Sequence, residues 1–96
     1  DPDVRVIDVR NEIEHLSEYI IGAENLPLDA ASIWTEDLDT EVTHYLNCAG
    51  GYRSAIAGSI LMKGGNHNFI NVEGGFNAIK ETGKIAISEY VYPTTL

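Results

Sequence analysis

Ninety-six residues, 44% of them apolar, suffice for one small domain with a single core, since domains begin near roughly 50 residues and cluster near 100 to 150. Six Lys and Arg against fifteen Asp and Glu leave a net charge of -9, a field that repels phosphate backbones and anionic surfaces and so argues against nucleic acid and membrane partners. No run approaches the roughly 18 to 20 apolar residues of a membrane span, and Asp1-Pro2-Asp3-Val4-Arg5 lacks the apolar core of a signal peptide. The chain is therefore expected to be soluble. One cysteine, Cys48, rules out an intrachain disulfide and fits a reducing, cytoplasmic setting.

Val4, Val6, Ile7 and Val9 form a short β-branched run of the kind buried in parallel sheets. Asn11, followed by Glu14 three positions later, is a capping-box pattern, and Ile13, Leu16 and Ile20 then recur at helical spacing. Gly22, Asn25 and Pro27 break that helix, leaving room for one brief extended segment over residues 23–28. Residues 30–38 suggest a weak helix with Ile33, Trp34 and Leu38 as its apolar face, Trp34 serving core or rim packing. Residues 42–47 favour a strand that runs straight into Cys48-Ala49-Gly50-Gly51. Ser54 is expected to cap the next helix, in which Ile56, Ala57, Ile60 and Leu61 share a face and Gly64-Gly65 supply the stop. Residues 69–72 form another short apolar run, and Gly74-Gly75 opens a last helix carrying Phe76 and Ile79 to Gly83. Phe76 either lines a pocket mouth or anchors the core. From Ile85 the tail is ambiguous, and Pro93 with two Thr suggests a loose end. Strands alternating with helices predict an α/β fold with a mainly parallel sheet of about four to five short strands, helices on both faces and three layers.

The segment Cys48-Ala49-Gly50-Gly51-Tyr52-Arg53-Ser54 joins a strand to a helix at the carboxyl end of the sheet, where such folds bind ligands. Two glycines let the backbone curl with NH groups inward, and the helix adds positive dipole, so the loop is an anion cradle. A cradle of this kind stabilises a thiolate, the nucleophilic form of cysteine, and Cys48 is expected to react near neutral pH in a partly open loop. The alternative is a small buried hydrophobe at a strand end. The neighbouring Gly-Gly, Arg53 and Ser54 favour the functional reading, because a structural cysteine gains nothing from a ring of inward NH groups.

This loop resembles the rhodanese active-site pattern Cys-x-x-Gly-x-Arg-Ser, with Cys48, Gly51, Arg53 and Ser54 in place. Ile7-Asp8-Val9-Arg10 with Gly22-Ala23-Glu24-Asn25-Leu26-Pro27-Leu28 is similar to the family's amino-terminal motif, and Val72-Glu73-Gly74-Gly75-Phe76 to its carboxyl-terminal one. The resemblance implies a rhodanese-like fold and a sulfurtransferase. The Cys48 thiolate would take a sulfane sulfur from a small donor such as thiosulfate or a persulfide, hold it as a persulfide, and pass it to a thiol or cyanide acceptor. NH groups of Ala49, Gly50, Gly51, Tyr52, Arg53 and Ser54 would hold the transferable sulfur with no metal or organic cofactor. Arg53 either offers its guanidinium to an anionic donor or points outward, since a cation at a helix start is unfavourable for the dipole. Asp8 and Arg10, at the end of a neighbouring strand, either steady the loop or form a local ion pair. A phosphatase loop of the form Cys-x5-Arg is one residue longer, as befits a phosphate with its oxygens, so the shorter ring favours sulfur.

The sequence departs from the family where Glu18-Tyr19-Ile20-Ile21 replaces the usual Gly-His-Ile, and where Ile79 replaces a frequent aromatic. It also begins at a strand that the family usually precedes with another strand and helix. Residues 1–96 are thus expected to be one domain, trimmed at its amino terminus or excised from a longer protein. The loop variant is similar to those fused to metallo-β-lactamase-type persulfide dioxygenases, which makes a fused or partner module an expectation. His15, His44 and His67 lack metal-ligand spacing, and no metal site is expected. The acidic surplus over residues 1–24 and 29–41 is a solvated face, or one that selects a basic partner. The alternative to a freely acting enzyme is a non-catalytic, sulfur-relay or regulatory module of a multidomain protein.

Overall fold

In the computed structural model, which describes residues 4–90, parallel strands alternate with helices as the hydrophobic pattern requires. The elements are β1 (Val4–Asp8), α1 (Glu12–Ser17), β2 (Glu24–Asn25), α2 (Ala31–Trp34), β3 (Thr43–Asn47), α3 (Tyr52–Lys63), β4 (Phe69–Asn71) and α4 (Gly75–Thr82). Among the described residues they form one four-stranded sheet of order β2-β1-β3-β4, all pairs parallel. β1 and β3 pair along their whole length, from Val4 opposite Thr43 to Asp8 opposite Asn47. Both strands therefore end together, and the residues that follow them, Val9-Arg10 and Cys48-Ala49, leave the same edge of the sheet.

Alternation along the strands sorts the two faces. Ile7 and Leu46, register partners, are fully buried, and they pack in one core with Val9, Trp34 of α2, Leu38, and Ala57 and Leu61 of α3. On the other face Val6, Tyr45 and Asn47 border an apolar hollow of about 180 Å³ with Ile20, Ile79 of α4 and Ile85. Helices flank the sheet as expected, and no helix among the described residues is long and apolar enough to cross a membrane.

Local structure departs from the sequence pattern at four places, each with a physical cause. The capping box at Asn11 and Glu14 starts α1 as expected, but the helix ends at Ser17 and leaves Ile13 and Leu16 half exposed. Ile20 is buried outside the helix, because residues 19–21 turn extended to pair with residues 86–88: the Ile21 amide donates to the Ala86 carbonyl at 2.9 Å and the Ser88 amide to the Tyr19 carbonyl at 2.8 Å. The segment after Ile85 is thus tied to the body of the fold, whereas Pro93 and its threonines lie outside the described residues. Residues 30–38 are not one helix but α2 between two 3-10 turns, Leu28–Ala30 and Thr35–Asp37, none of them with a side-chain cap. Their buried face is Ala31, Trp34 and Leu38, Trp34 donating from Nε1 to the Pro27 carbonyl at 2.8 Å, while Ile33 is 70% exposed. Finally, α3 begins at Tyr52 with Gly51 as its N-cap, so Ser54 sits inside the first turn rather than capping it. Burial of Ser54 fixes the rotation of α3, placing Ala57, Gly58 and Leu61 inward and Ile56 outward.

Of the three histidines, His67 is exposed, His15 packs on Tyr19, and His44 on β3 is fully buried with neither ring nitrogen bonded among the described residues. Burial, followed by the charge of Arg5, pushes His44 below its usual value of 6.5. A depressed histidine contributes its stability above the unfolded pKa and loses it as the pH falls, because the unfolded chain takes up a proton that the native state refuses. Stability against denaturant in wild type should fall as the pH drops below about 6.5, by up to roughly 1.4 kcal/mol per unit of pKa difference. His44→Leu is expected to flatten that slope, and an unchanged slope would contradict the assignment.

Candidate active site

β3 ends in a buried asparagine and then delivers Cys48, whose side chain joins the core with only 1% exposure. The chain turns at Gly51, where φ is +99°, a left-handed value that glycine adopts without a Cβ clash. That turn aims the Gly51 amide at Cys48 Sγ, to which it donates at 3.0 Å. Ser54 Oγ approaches the same sulfur at 3.5 Å. Burial pushes the thiol up, but the Ser54 hydroxyl and the backbone amides of Ser54, Gly51 and Gly50 together hold Cys48 below its ordinary value. The loop stabilises a sulfur anion with neutral dipoles. Its openness is confined to the rim, where Gly50 is exposed and Tyr52 is 78% exposed; the sulfur itself lies beneath, contrary to a partly open loop.

The cause is α4. Its first amides grip the outer side of the loop: Phe76 donates to the Cys48 carbonyl at 2.6 Å and Asn77 to the Ala49 carbonyl at 3.1 Å. In a trans peptide the carbonyl and the following N–H point in opposite directions. Pulling the Ala49 carbonyl outward therefore turns the Gly50 amide inward, toward the sulfur. The approach is so close that a Cβ on Gly75 would strike the Cys48 carbonyl oxygen and come within 2.9 Å of the Ala49 carbonyl carbon. The motif Val72-Glu73-Gly74-Gly75-Phe76 thus serves the loop from below.

Asp8 and Arg10 form a buried pair rather than a contact to the sulfur. Arg10 Nη2 lies 2.8 Å from Asp8 Oδ2, Nε bonds both carboxylate oxygens, and the Arg10 amide donates to Oδ1 at 3.0 Å. Burial raises the Asp8 carboxyl, and the bonds from Arg10 and His15 outweigh it, leaving a net lowering. The guanidinium also donates to the Glu18 carbonyl at 2.6 Å and lies 4.3 Å above the ring of Phe76. Phe76 is buried, so it is an anchor, and one that also borders an open hollow beside Ala49. The pair acts on the loop through α4.

Arg53 turns toward α1. Its Nη1 and Nη2 bond Glu14 Oε1 and Oε2 at 2.6 and 3.0 Å, which holds the Glu14 carboxyl below its usual range and raises the guanidinium. Two residues with no role in the sequence reading of the loop prove to touch it. Asn71 on β4 receives the Ser54 hydroxyl at 2.5 Å, so the single hydroxyl proton is shared among Asn71, the Gly51 carbonyl and Cys48 Sγ. Asn71 stood in an otherwise apolar run, its one available signal. Glu14 was visible only as a capping residue, a role it keeps by accepting the Asn11 amide at 3.1 Å.

With this geometry in place, residues 1–82 match the rhodanese-like domain model, and the chain belongs to that family. It is 36% identical over 81 residues to the uncharacterised protein YqhL of Bacillus subtilis, covering 84% of this chain but 63% of that one; the chain thus spans under two thirds of that relative's length. A rhodanese-related protein from Thermoplasma volcanium superposes with a TM-score of 0.81 at 29% identity, over 91% of this chain and 85% of its own. A rhodanese-like domain protein from Staphylococcus aureus gives 0.76 at 32% identity, over 90% and 82%.

Gly75→Ala should drive the loop off α4. The expected loss is roughly 2 to 4 kcal/mol of unfolding free energy, from overpacking against backbone together with a left-handed alanine. A change below about 0.5 kcal/mol in denaturant unfolding would contradict the close approach.

Proposed function

We propose that the protein is a sulfurtransferase that carries sulfur on Cys48. The observation that supports this reading is the sulfur's setting, with the Gly51 amide at 3.0 Å and Ser54 Oγ at 3.5 Å. A thiolate so held attacks the outer sulfur of a donor; a new S–S bond forms at Cys48 as the donor's own bond breaks. With thiosulfate the leaving group is sulfite, and charge balances: Cys48–S⁻ and S₂O₃²⁻ give Cys48–S–S⁻ and SO₃²⁻. With a persulfide RSSH the products are Cys48–SSH and the thiolate RS⁻. An acceptor then attacks the terminal sulfur and restores Cys48–S⁻: a thiolate leaves as its persulfide, and cyanide leaves as thiocyanate.

The thiolate and the ionised persulfide Cys48–S–S⁻ each put one unit of negative charge where the amides converge, so the same dipoles serve both and favour loss of the proton from Cys48–SSH. The ring from Cys48 to Arg53 is one residue short of the phosphatase loop, and the Arg53 fork is taken by Glu14 rather than turned over the sulfur. Both features favour transfer of a single sulfur atom over that of a phosphoryl group. No residue in this scheme needs a metal or an organic cofactor.

Intact mass should be measured after brief incubation with thiosulfate or, separately, a small-molecule persulfide, followed by cyanide. Wild type should gain one sulfur that cyanide removes, and Cys48→Ser should gain none while melting within about 3 °C of wild type. A transfer rate in Cys48→Ser above about a tenth of wild type, or no sulfur gain by folded wild type from either donor, would overturn the reading.

A further inference from the structure

An open hollow of about 290 Å³ lies beside the loop, bordered by Ala49, Phe76, Arg10, Glu14, Glu18 and Lys80. Its charged groups come in closed pairs. Arg10 is bound to Asp8, and Lys80 Nζ lies 2.8 Å from Glu18 Oε1. Arg53, at the loop itself, gives both terminal nitrogens to Glu14. A second hollow, lined by Val9, Asn11, Pro27, Leu28 and Arg53, adds one further charged group, the acidic Asp29. The other cations stand elsewhere: Arg5 is paired with Glu24 at the opposite end of β1, Lys63 closes the far end of α3, and Lys84 follows the far end of α4. A helix of 12 residues places Lys63 roughly 16 Å from the loop end where α3 starts, and Lys84 lies beyond the left-handed Gly83 that ends α4.

A donor's sulfane sulfur is received by the loop amides, but the rest of the donor stays in the approach. For thiosulfate that remainder is a sulfonate carrying its own negative charge, and its natural partner is a two-pronged guanidinium. Glu14 already occupies that fork with the same geometry. The Glu14 and Arg53 side chains are each 33% exposed, so the pair is weak enough for a strong anion to contest, though at a cost in affinity.

We propose that Glu14 is a specificity-determining residue: by closing the Arg53 fork it discriminates against donors with an anionic remainder and directs the site to persulfides of uncharged thiols. This rests on the sulfurtransferase reading above. Glu14 acts through Arg53 and has no contact with the reacting sulfur, so it positions rather than catalyses.

Glu14→Gln removes the charge while keeping a side-chain oxygen for the capping box, which accepts Glu or Gln equally. The test compares kcat and KM for thiosulfate and for the persulfide of 2-mercaptoethanol in wild type, Glu14→Gln, and Glu14→Gln combined with Arg53→Ala. Wild type should prefer the persulfide. Glu14→Gln should lower the KM for thiosulfate about fivefold with little change in kcat, and change the persulfide values by less than about twofold. The thiosulfate gain should vanish in the double variant, because it requires a freed Arg53. Sulfate, an unreactive dianion, should inhibit Glu14→Gln at lower concentration than wild type.

Equal shifts for both donors, or a thiosulfate gain that survives loss of Arg53, would overturn the role of Glu14 while leaving sulfur transfer intact. No transfer from either donor in wild type would instead overturn the underlying reading, and this proposal with it.

Discussion

The grip of α4 on the carbonyls of Cys48 and Ala49 is the constraint on which the rest depends. Those two hydrogen bonds set the peptide planes at the start of the loop, and the planes decide which way the amides face. Gly75 is placed where no side chain fits, so helix and loop meet backbone to backbone. Beneath them the Asp8–Arg10 pair holds Phe76 by its ring, which steadies the first turn of α4 from the end of β1. Removing one member of such a buried pair typically costs roughly 3 to 5 kcal/mol, because the survivor is left uncompensated. The three motif-bearing stretches of the chain, around Asp8, Cys48 and Gly74, are in this sense one structure.

Charge is distributed in keeping with that design. The net charge of -9 leaves few cations, and those nearest the loop are bound to carboxylates drawn mainly from α1 and β1. Anion stabilisation at Cys48 comes chiefly from neutral dipoles, the hydroxyl of Ser54 and the amides of Ser54, Gly51 and Gly50, with the Arg53 guanidinium adding a charge–charge attraction. Dipoles fixed by a rigid backbone need little reorganisation as the charge moves from thiolate to leaving group, whereas a mobile surface cation would also attract every dianion in solution.

Much of the architecture was legible in the sequence because it rests on period and punctuation. The runs at Val4, Thr43 and Phe69 become strands, the capping box at Asn11 starts α1, and Gly64 and Gly83 stop α3 and α4. What was not legible depends on contacts between distant segments. Ile20 looked like the next helical position after Leu16, yet pairing with residues 86–88 draws it out of the helix and into the core. Ser54 has the chemistry of a cap, and no local rule reveals that Asn71, seventeen residues later, binds its hydroxyl. Arg53 likewise meets Glu14 across thirty-nine residues, so an apparent anion-binding arginine becomes a closed pair. Residues 30–38 have no side-chain N-cap, and without one the weak helix breaks into turns around the burial of Trp34.

The central claim is that the loop lowers the pKa of the Cys48 thiol although the side chain is buried. Titration of the thiolate absorbance in the ultraviolet, with Cys48→Ser as the blank, measures this directly. The account predicts a midpoint below that of a cysteine in a short unstructured peptide titrated the same way. A midpoint at or above that value would mean that burial outweighs the amides, and the cradle would then be a structural turn with no hold on charge.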